Sequence, residues 1–455
     1  MHSAASEPAA EPLEASHNPA WHPPSLRELG ALLSVAIVVL FCRLPRLLLH
    51  GRILAEEGTT YLRYAWDATP LHALLAPHQG YYSLLDNLCA LIAARLLPLS
   101  AAALFFTWTA VAVHLLLLFL AIECEVFRTP FERCCALFAL LLVTPNFEVW
   151  LNLENCQSLL AVTAAIVLIS SARRLFAIRT TTLWLAALTG VTTLPLIPLF
   201  WFRVWRERSR RALVYALSIT LPAFLQATVL LHSIRAGSRP VTSHHLRALV
   251  AYTSSRVIML PLTTGRGAEY YGRFLFHHSG IGWISALYLA PAALLVLGFL
   301  LFRRSSPAAL FLYFGALLSS VFDWYGCLAC TFRRLPFSSG GEGRYFFAAN
   351  AMLLLALLLA ATRAAPRWLA RAAAVLFAWI LCTGVFHYFR MRPYLNDYAA
   401  WQPQVLRWQQ DERQPLLVGP THWGANPLHL THQRPNRTDL PADAYDSLAA
   451  RHLDE

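Results

Sequence analysis

The chain has 455 residues, of which 57% are hydrophobic and only 14% charged, whereas a soluble domain carries roughly a quarter charged residues. So few charges cannot coat a soluble protein of this length, and the apolar residues fall in long blocks rather than in helical or strand alternation. The formal net charge is +12, carried by arginine with no lysine; the arginines lie between apolar blocks, so the bias of positive charge to the cytoplasmic side of a membrane accounts for most of them and no nucleic-acid partner is implied.

Residues 1–28 are polar and proline-containing, and are expected to be a mobile cytoplasmic tail without a cleavable signal. The first apolar block, 29–49, is expected to stay as a membrane anchor. A polar and aromatic loop follows over 51–82. Residues 84–99 are apolar but interrupted by Asp86, Asn87, Arg95 and Pro98, which suits an interfacial helix or part of a span. Residues 101–122 form a clear span. A short charged connection then leads to two apolar stretches, 134–145 and 158–171, with a polar segment between them.

Residues 183–202 lie between Arg173, Arg174 and Arg179 on one side and Arg203, Arg206, Arg208, Arg210 and Arg211 on the other. A single span there would put one arginine cluster on the wrong side. Gly190, Pro195 and Pro198 predict two short half-helices that turn back within the membrane. Residues 212–231 then cross outward to a long loop, 232–282. The blocks 283–302, 308–322, 346–361 and 375–388 complete roughly eleven passes. The expected fold is thus an all-α polytopic bundle over 29–390, with extracytoplasmic loops and a small ordered C-terminal cap over 391–455. That cap carries a short strand at Leu416-Leu417-Val418. Most of the nine cysteines sit in apolar blocks as small hydrophobes; Cys327 and Cys330 form an isolated C-x-x-C, a weak signal for metal or redox chemistry.

In this topology the polar chemistry collects on the outer side. Glu56-Glu57 follows the first span, and a carboxylate at a membrane edge can act as general base towards an alcohol. Adjacent acids also allow a divalent cation, though no third ligand is evident and no metal site is assigned. The segment 77–82 offers His78 and Gln79 as ligand candidates, with Tyr81 and Tyr82 suited to sugar stacking or to an aromatic belt. Glu148, Asn152, Glu154, Asn155 and Gln157 crowd one short turn; of these, Glu148, Asn152, Asn155 and Gln157 are candidate carbohydrate ligands through two-point hydrogen bonding. Arg344, after the glycines of 340–343 and before Tyr345, suits a phosphate through its fork of donors. His232, His244, His245, His277, His278, Arg266 and Arg273 fall on the same side without metal-ligand spacing, and Arg266 and His278 could help line a lipid-phosphate site.

An outward first span ending in Glu56-Glu57, the broken hairpin at 183–202, the polar run from Glu148 to Gln157 and the late Gly343-Arg344-Tyr345 together resemble the GT-C superfamily of polyprenyl-phosphate-dependent glycosyltransferases. That superfamily includes protein mannosyltransferases, aminoarabinose transferases and arabinofuranosyltransferases, whose members often carry Asp-Glu where this chain has Glu-Glu. The resemblance implies inverting transfer of a sugar from a polyprenyl-phosphate donor to a glycan, lipid or protein hydroxyl, at the periplasmic face of a bacterial inner membrane. It implies Glu56 as base, Glu57 as orienting group and Arg344 as holder of the leaving phosphate. Rival readings are a polysaccharide polymerase or O-antigen ligase, which would rely on late-loop arginines and histidines, and a lipid-linked sugar flippase or transporter.

Overall fold

The computed structural model describes residues 21–144, 146–236, 246–263, 265–277, 282–323, 344–390, 396–420 and 426–446. His244, His245, His278, Cys327, Cys330, Trp423 and the glycines of 340–343 lie outside the described residues.

Helix α1 (Leu26–Arg43) begins at Ser25, whose hydroxyl accepts the Glu28 N–H at 3.1 Å. Helix α2 (Pro45–His50) leads into the first loop, where a wide π-type turn (Glu57–Leu62) runs into α3 (Arg63–Asp67). Two more helices, α4 (Pro70–Leu75) and α5 (Leu84–Arg95), complete this region. Then come α6 (Ala102–Ile122) and α7 (Pro130–Leu142), the latter started by a reciprocal capping box between Thr129 and Glu132. The chain continues through α8 (Cys156–Ile169), α9 (Phe176–Leu188), α10 (Ile197–Glu207) and α11 (Arg210–Arg235). Short helices α12 (Leu246–Thr253), α13 (Leu260–Leu262) and α14 (Gly265–His277) precede α15 (Gly282–Arg303), α16 (Pro307–Asp323), α17 (Arg344–Arg363) and α18 (Arg367–Arg390). The tail holds α19 (Trp401–Gln410) and an antiparallel pair, β1 (Leu416–Val418) with β2 (Asn426–Leu428).

Four helical segments are long and apolar enough to cross a membrane: Leu99–Ile122, Arg210–Arg235, Arg344–Arg363 and Arg367–Arg390. Helix α17 is central, with 78% of its apolar window buried, whereas α18 has only 17% buried. The outward faces of α11 and α18 show Leu221, Phe224, Val375 and Trp379 to the surroundings. Apolar faces of this size require lipid rather than water beside them. The chain is therefore an all-α membrane protein. Among the described residues, these four of the roughly eleven expected passes meet the criteria of length and apolarity; α8, α9 and α16 are apolar but shorter.

The arginine clusters gather at one end of the bundle. Arg133 bonds Glu28 at 2.8 Å, Arg174 meets Glu123 at 3.2 Å and Arg179 meets Glu125 at 3.4 Å. Arg211 donates to the Ser171 carbonyl, Arg363 pairs with Glu132, and the Ala365 N–H bonds the Arg304 carbonyl. Clusters far apart in sequence thus share one end, as charge pattern alone required.

The broken hairpin is present. Its tip reaches the start of α8, where Thr192 Oγ1 donates to the Gln157 carbonyl at 2.8 Å. Its far arm returns to the end of α8, where Arg203 donates to the Val167 carbonyl at 3.3 Å. Gly190 makes the break: its φ is +88°, and a Cβ there would stand 2.1 Å from Gln157 Oε1. Gly190→Ala is expected to cost about 1–2 kcal/mol of stability through left-handed strain and to push Gln157 aside. A thermal melt of the detergent-solubilised variant checks this; a midpoint equal to wild type would show that the break does not need glycine.

Candidate functional site

At the end opposite the arginines, two loops are tied together by a carboxylate. Glu57, only 2% exposed, accepts the Leu54 N–H at 2.8 Å and the Leu153 N–H at 2.6 Å. It therefore joins the first loop to the 146–155 segment. Burial pushes its carboxyl up to about 7, against the pull of those two N–H groups and of Arg52. The same segment is held by two buried arginines: Arg43 donates to Asn146 Oδ1 at 3.0 Å and Arg52 to the Trp150 carbonyl at 2.7 Å. The C-terminal tail also enters the loop. Gly419 exchanges backbone bonds with Ile53 and Ala55, and Val418 packs so closely on Gly58 that a Cβ would meet its methyl at 2.6 Å. Tyr64 and Trp66 donate to the carbonyls of Leu440 and Thr431. The tail expected as a small cap is thus interleaved with the first loop.

Beside this clamp lies a partly open cleft lined by Gln79, Tyr81, Glu154, Asn155, Gln157, Ser158, Val191, Thr192, Arg344 and Tyr345. Four separated stretches of chain supply it. Gln157 Nε2 donates to Tyr81 Oη at 3.4 Å, and Asn155 Nδ2 to the Glu148 carbonyl at 3.0 Å. The Arg344 N–H, an unpaired donor at the first turn of α17, is accepted by Glu148 Oε2 at 2.9 Å. The Arg344 guanidinium donates to Tyr345 Oη at 3.3 Å and has the carboxyls of Glu154, Glu148 and Glu56 as neighbours.

Glu56 approaches from behind the lining. Its half-buried carboxyl neighbours that of Glu154. Burial first, and then the neighbouring Glu56 charge, hold Glu154 well above the usual carboxylate range, against the pull of Arg344. Glu154 therefore gives up its proton less readily than an ordinary carboxyl. Asp86 lies below, buried, with its carboxyl accepting from Ser83 Oγ and pushed by burial up to about 7.

The structure brings Gln79, Tyr81, Asn155, Gln157, Arg344 and Tyr345 into one lining, with Glu56 and Glu148 just behind it. It does not bring the other candidates there. His78 is buried between Tyr61 and Tyr64 beside Asp446. Tyr82 donates its hydroxyl to the Leu74 carbonyl. Asn152 accepts the Asn155 N–H within its own turn. Glu57 is occupied by backbone, and Arg266 is exposed away from the cleft. Three contributors went unassigned in the sequence. Glu154 was only one of several polar groups in its turn. Gln226 lies wholly buried in α11 and grips both backbone groups of Tyr82; a glutamine inside an apolar block was a readable signal. Asp446 gave no signal at all. Among the described residues, no three His, Cys, Asp or Glu side chains cluster as metal ligands.

Fold and site together define a helical membrane protein with a polar, carboxylate-bearing cleft at the end remote from its arginine clusters. Comparison with protein-family models, with curated proteins and with solved structures gives no match.

Proposed function

We propose that the chain is an inverting glycosyltransferase, moving a sugar from a polyprenyl-phosphate donor to a hydroxyl acceptor at the periplasmic face of a bacterial inner membrane. The observation that carries this reading is a polar cleft lined by Glu154 and Arg344, with Glu56 as the carboxyl neighbour of both. The acceptor hydroxyl gives its proton to the Glu56 carboxylate as its oxygen bonds to the anomeric carbon. The bond from that carbon to the donor phosphate breaks, and polyprenyl phosphate leaves with the electron pair. Arg344 stabilises the charge that grows on the phosphate. Glu154, held by burial above the usual carboxylate range, stands beside the Glu56 carboxylate and orients it. Gln79, Asn155 and Gln157 offer two-point hydrogen bonding to sugar hydroxyls, and Tyr81 offers a ring face.

Mass spectrometry of lipid-linked sugars and envelope glycans, with and without the gene, tests the reading. Loss of the gene should leave one polyprenyl-phosphate sugar to accumulate and one glycan or glycolipid to lose a residue. Complementation by Arg344→Lys should restore transfer only weakly, with a rate lowered about 10- to 100-fold, because an ammonium lacks the planar fork. No change in either pool sinks the proposal. Movement of a lipid-linked sugar across vesicles without a new glycosidic bond would make the protein a flippase instead.

A further inference from the structure

The rim of the cleft is a tight turn over 77–82. His78 and Tyr81 exchange backbone bonds at 2.9 and 3.0 Å, and the two residues between them, Gln79 and Gly80, have φ of +54° and +80°. Glycine takes that conformation freely, but a residue with a Cβ is disfavoured there, and glutamine lacks the short side chain that lets asparagine bond its own backbone in such turns. Something outside the turn must hold Gln79. That group is Asp446, 367 residues away in sequence, whose Oδ2 accepts the Gln79 N–H at 2.6 Å. Its other oxygen stands 3.5 Å from Nδ1 of His78, a ring that is 1% exposed and gripped edge-on by Tyr61 and Tyr64. Neighbouring tail residues fix Asp446 in turn: Tyr445 donates to Asp67, and the Arg63 guanidinium lies 4.3 Å over the Tyr445 ring.

We infer that Asp446 is a positioning residue for the cleft: from the C-terminal tail it holds Gln79 in its left-handed conformation and so sets the substrate-contacting rim. The inference rests on the reading of the cleft as the sugar site. A charge-assisted bond to a backbone amide is short and strong, and it can do this without touching substrate. The Pro-rich tail thereby becomes part of the site, since the cleft is complete only when the tail is docked.

The test compares Asp446→Ala and Asp446→Asn in the full chain. Steady-state transfer is measured from a polyprenyl-phosphate sugar, and amide hydrogen exchange is followed over 77–82. Asp446→Ala should raise KM about tenfold, the loss expected for one charged hydrogen bond, with kcat within about twofold of wild type. Exchange over 77–82 should quicken while that over 57–62 stays unchanged. Asp446→Asn keeps an acceptor oxygen for the Gln79 N–H and should restore most of both readouts. The inference is overturned if the alanine variant keeps wild-type KM and exchange, if asparagine does no better than alanine, or if exchange rises throughout the loop. Should wild-type protein transfer no sugar, the exchange comparison alone still decides the role of Asp446.

Discussion

Glu56→Gln is expected to lower transfer by about 10²- to 10⁴-fold, the range for losing a positioned general base, with little change in folding. Glutamine keeps the shape of the side chain beside Glu154, so the cleft should persist. What disappears is the site that takes the acceptor proton. The measurement is kcat for transfer from a polyprenyl-phosphate sugar, alongside a melting curve to show an intact fold. Because Glu154 and Glu56 meet as a carboxyl pair, Glu154→Gln is the informative companion. It replaces the acid by an amide whose N–H can still donate to Glu56 and leaves the base, so its loss should be smaller. Full activity in Glu56→Gln would remove Glu56 from the mechanism. If activity survives changes at both Glu56 and Glu57 but is lost on changing Arg266 or His278, the chemistry belongs to the late loops and the polymerase or ligase reading replaces this one.

The contrast between those neighbouring acids shows what the sequence could carry. Apolar blocks separated by arginines specify helices and their common end, because both patterns are local and repeated along the chain. The hairpin was legible for the same reason: arginines on both flanks forbid a single crossing, and Gly190 supplies the only backbone able to turn against Gln157. The cleft was legible in part, since Asn155, Gln157 and Arg344 stand where polar groups interrupt apolar runs. The division of labour between Glu56 and Glu57 was not. It depends on which carboxylate a wide π-type turn aims at backbone and which at the cleft, and one residue of rotation, about 100° on a helix, reverses the answer. Asp446 was beyond reach because its partner is separated from it by most of the chain, and docking of Val418 on Gly58 depends on the same long-range closure.

Glu57→Ala is expected to damage the fold rather than the chemistry. Removing the carboxylate leaves the N–H groups of Leu54 and Leu153 without their acceptor. A buried donor left unpaired costs about 1–3 kcal/mol, so the pair should cost about 2–5 kcal/mol and loosen the junction of the two loops. Arg52, drawn by burial down to about 10, also loses the neighbouring charge that favours its cation. Glu57→Gln keeps one acceptor oxygen and should lose roughly half as much. The two variants also separate in pH dependence. In the fold the Glu57 carboxyl titrates at about 7, against an ordinary value of 4.5. A raised carboxyl holds its proton more tightly folded than unfolded. Its contribution is therefore full below pH 4.5 and is lost as pH rises towards 7, by at most about 3 kcal/mol. Wild-type protein should accordingly melt at a lower temperature at pH 8 than at pH 5, and Glu57→Gln, which cannot titrate, should show a shallower decline. Melting curves of the solubilised proteins at both pH values decide it: an unaltered decline in the glutamine variant would place the titration on Asp86, the other buried acid at about 7, and not on the clamp that joins the first loop to the cleft.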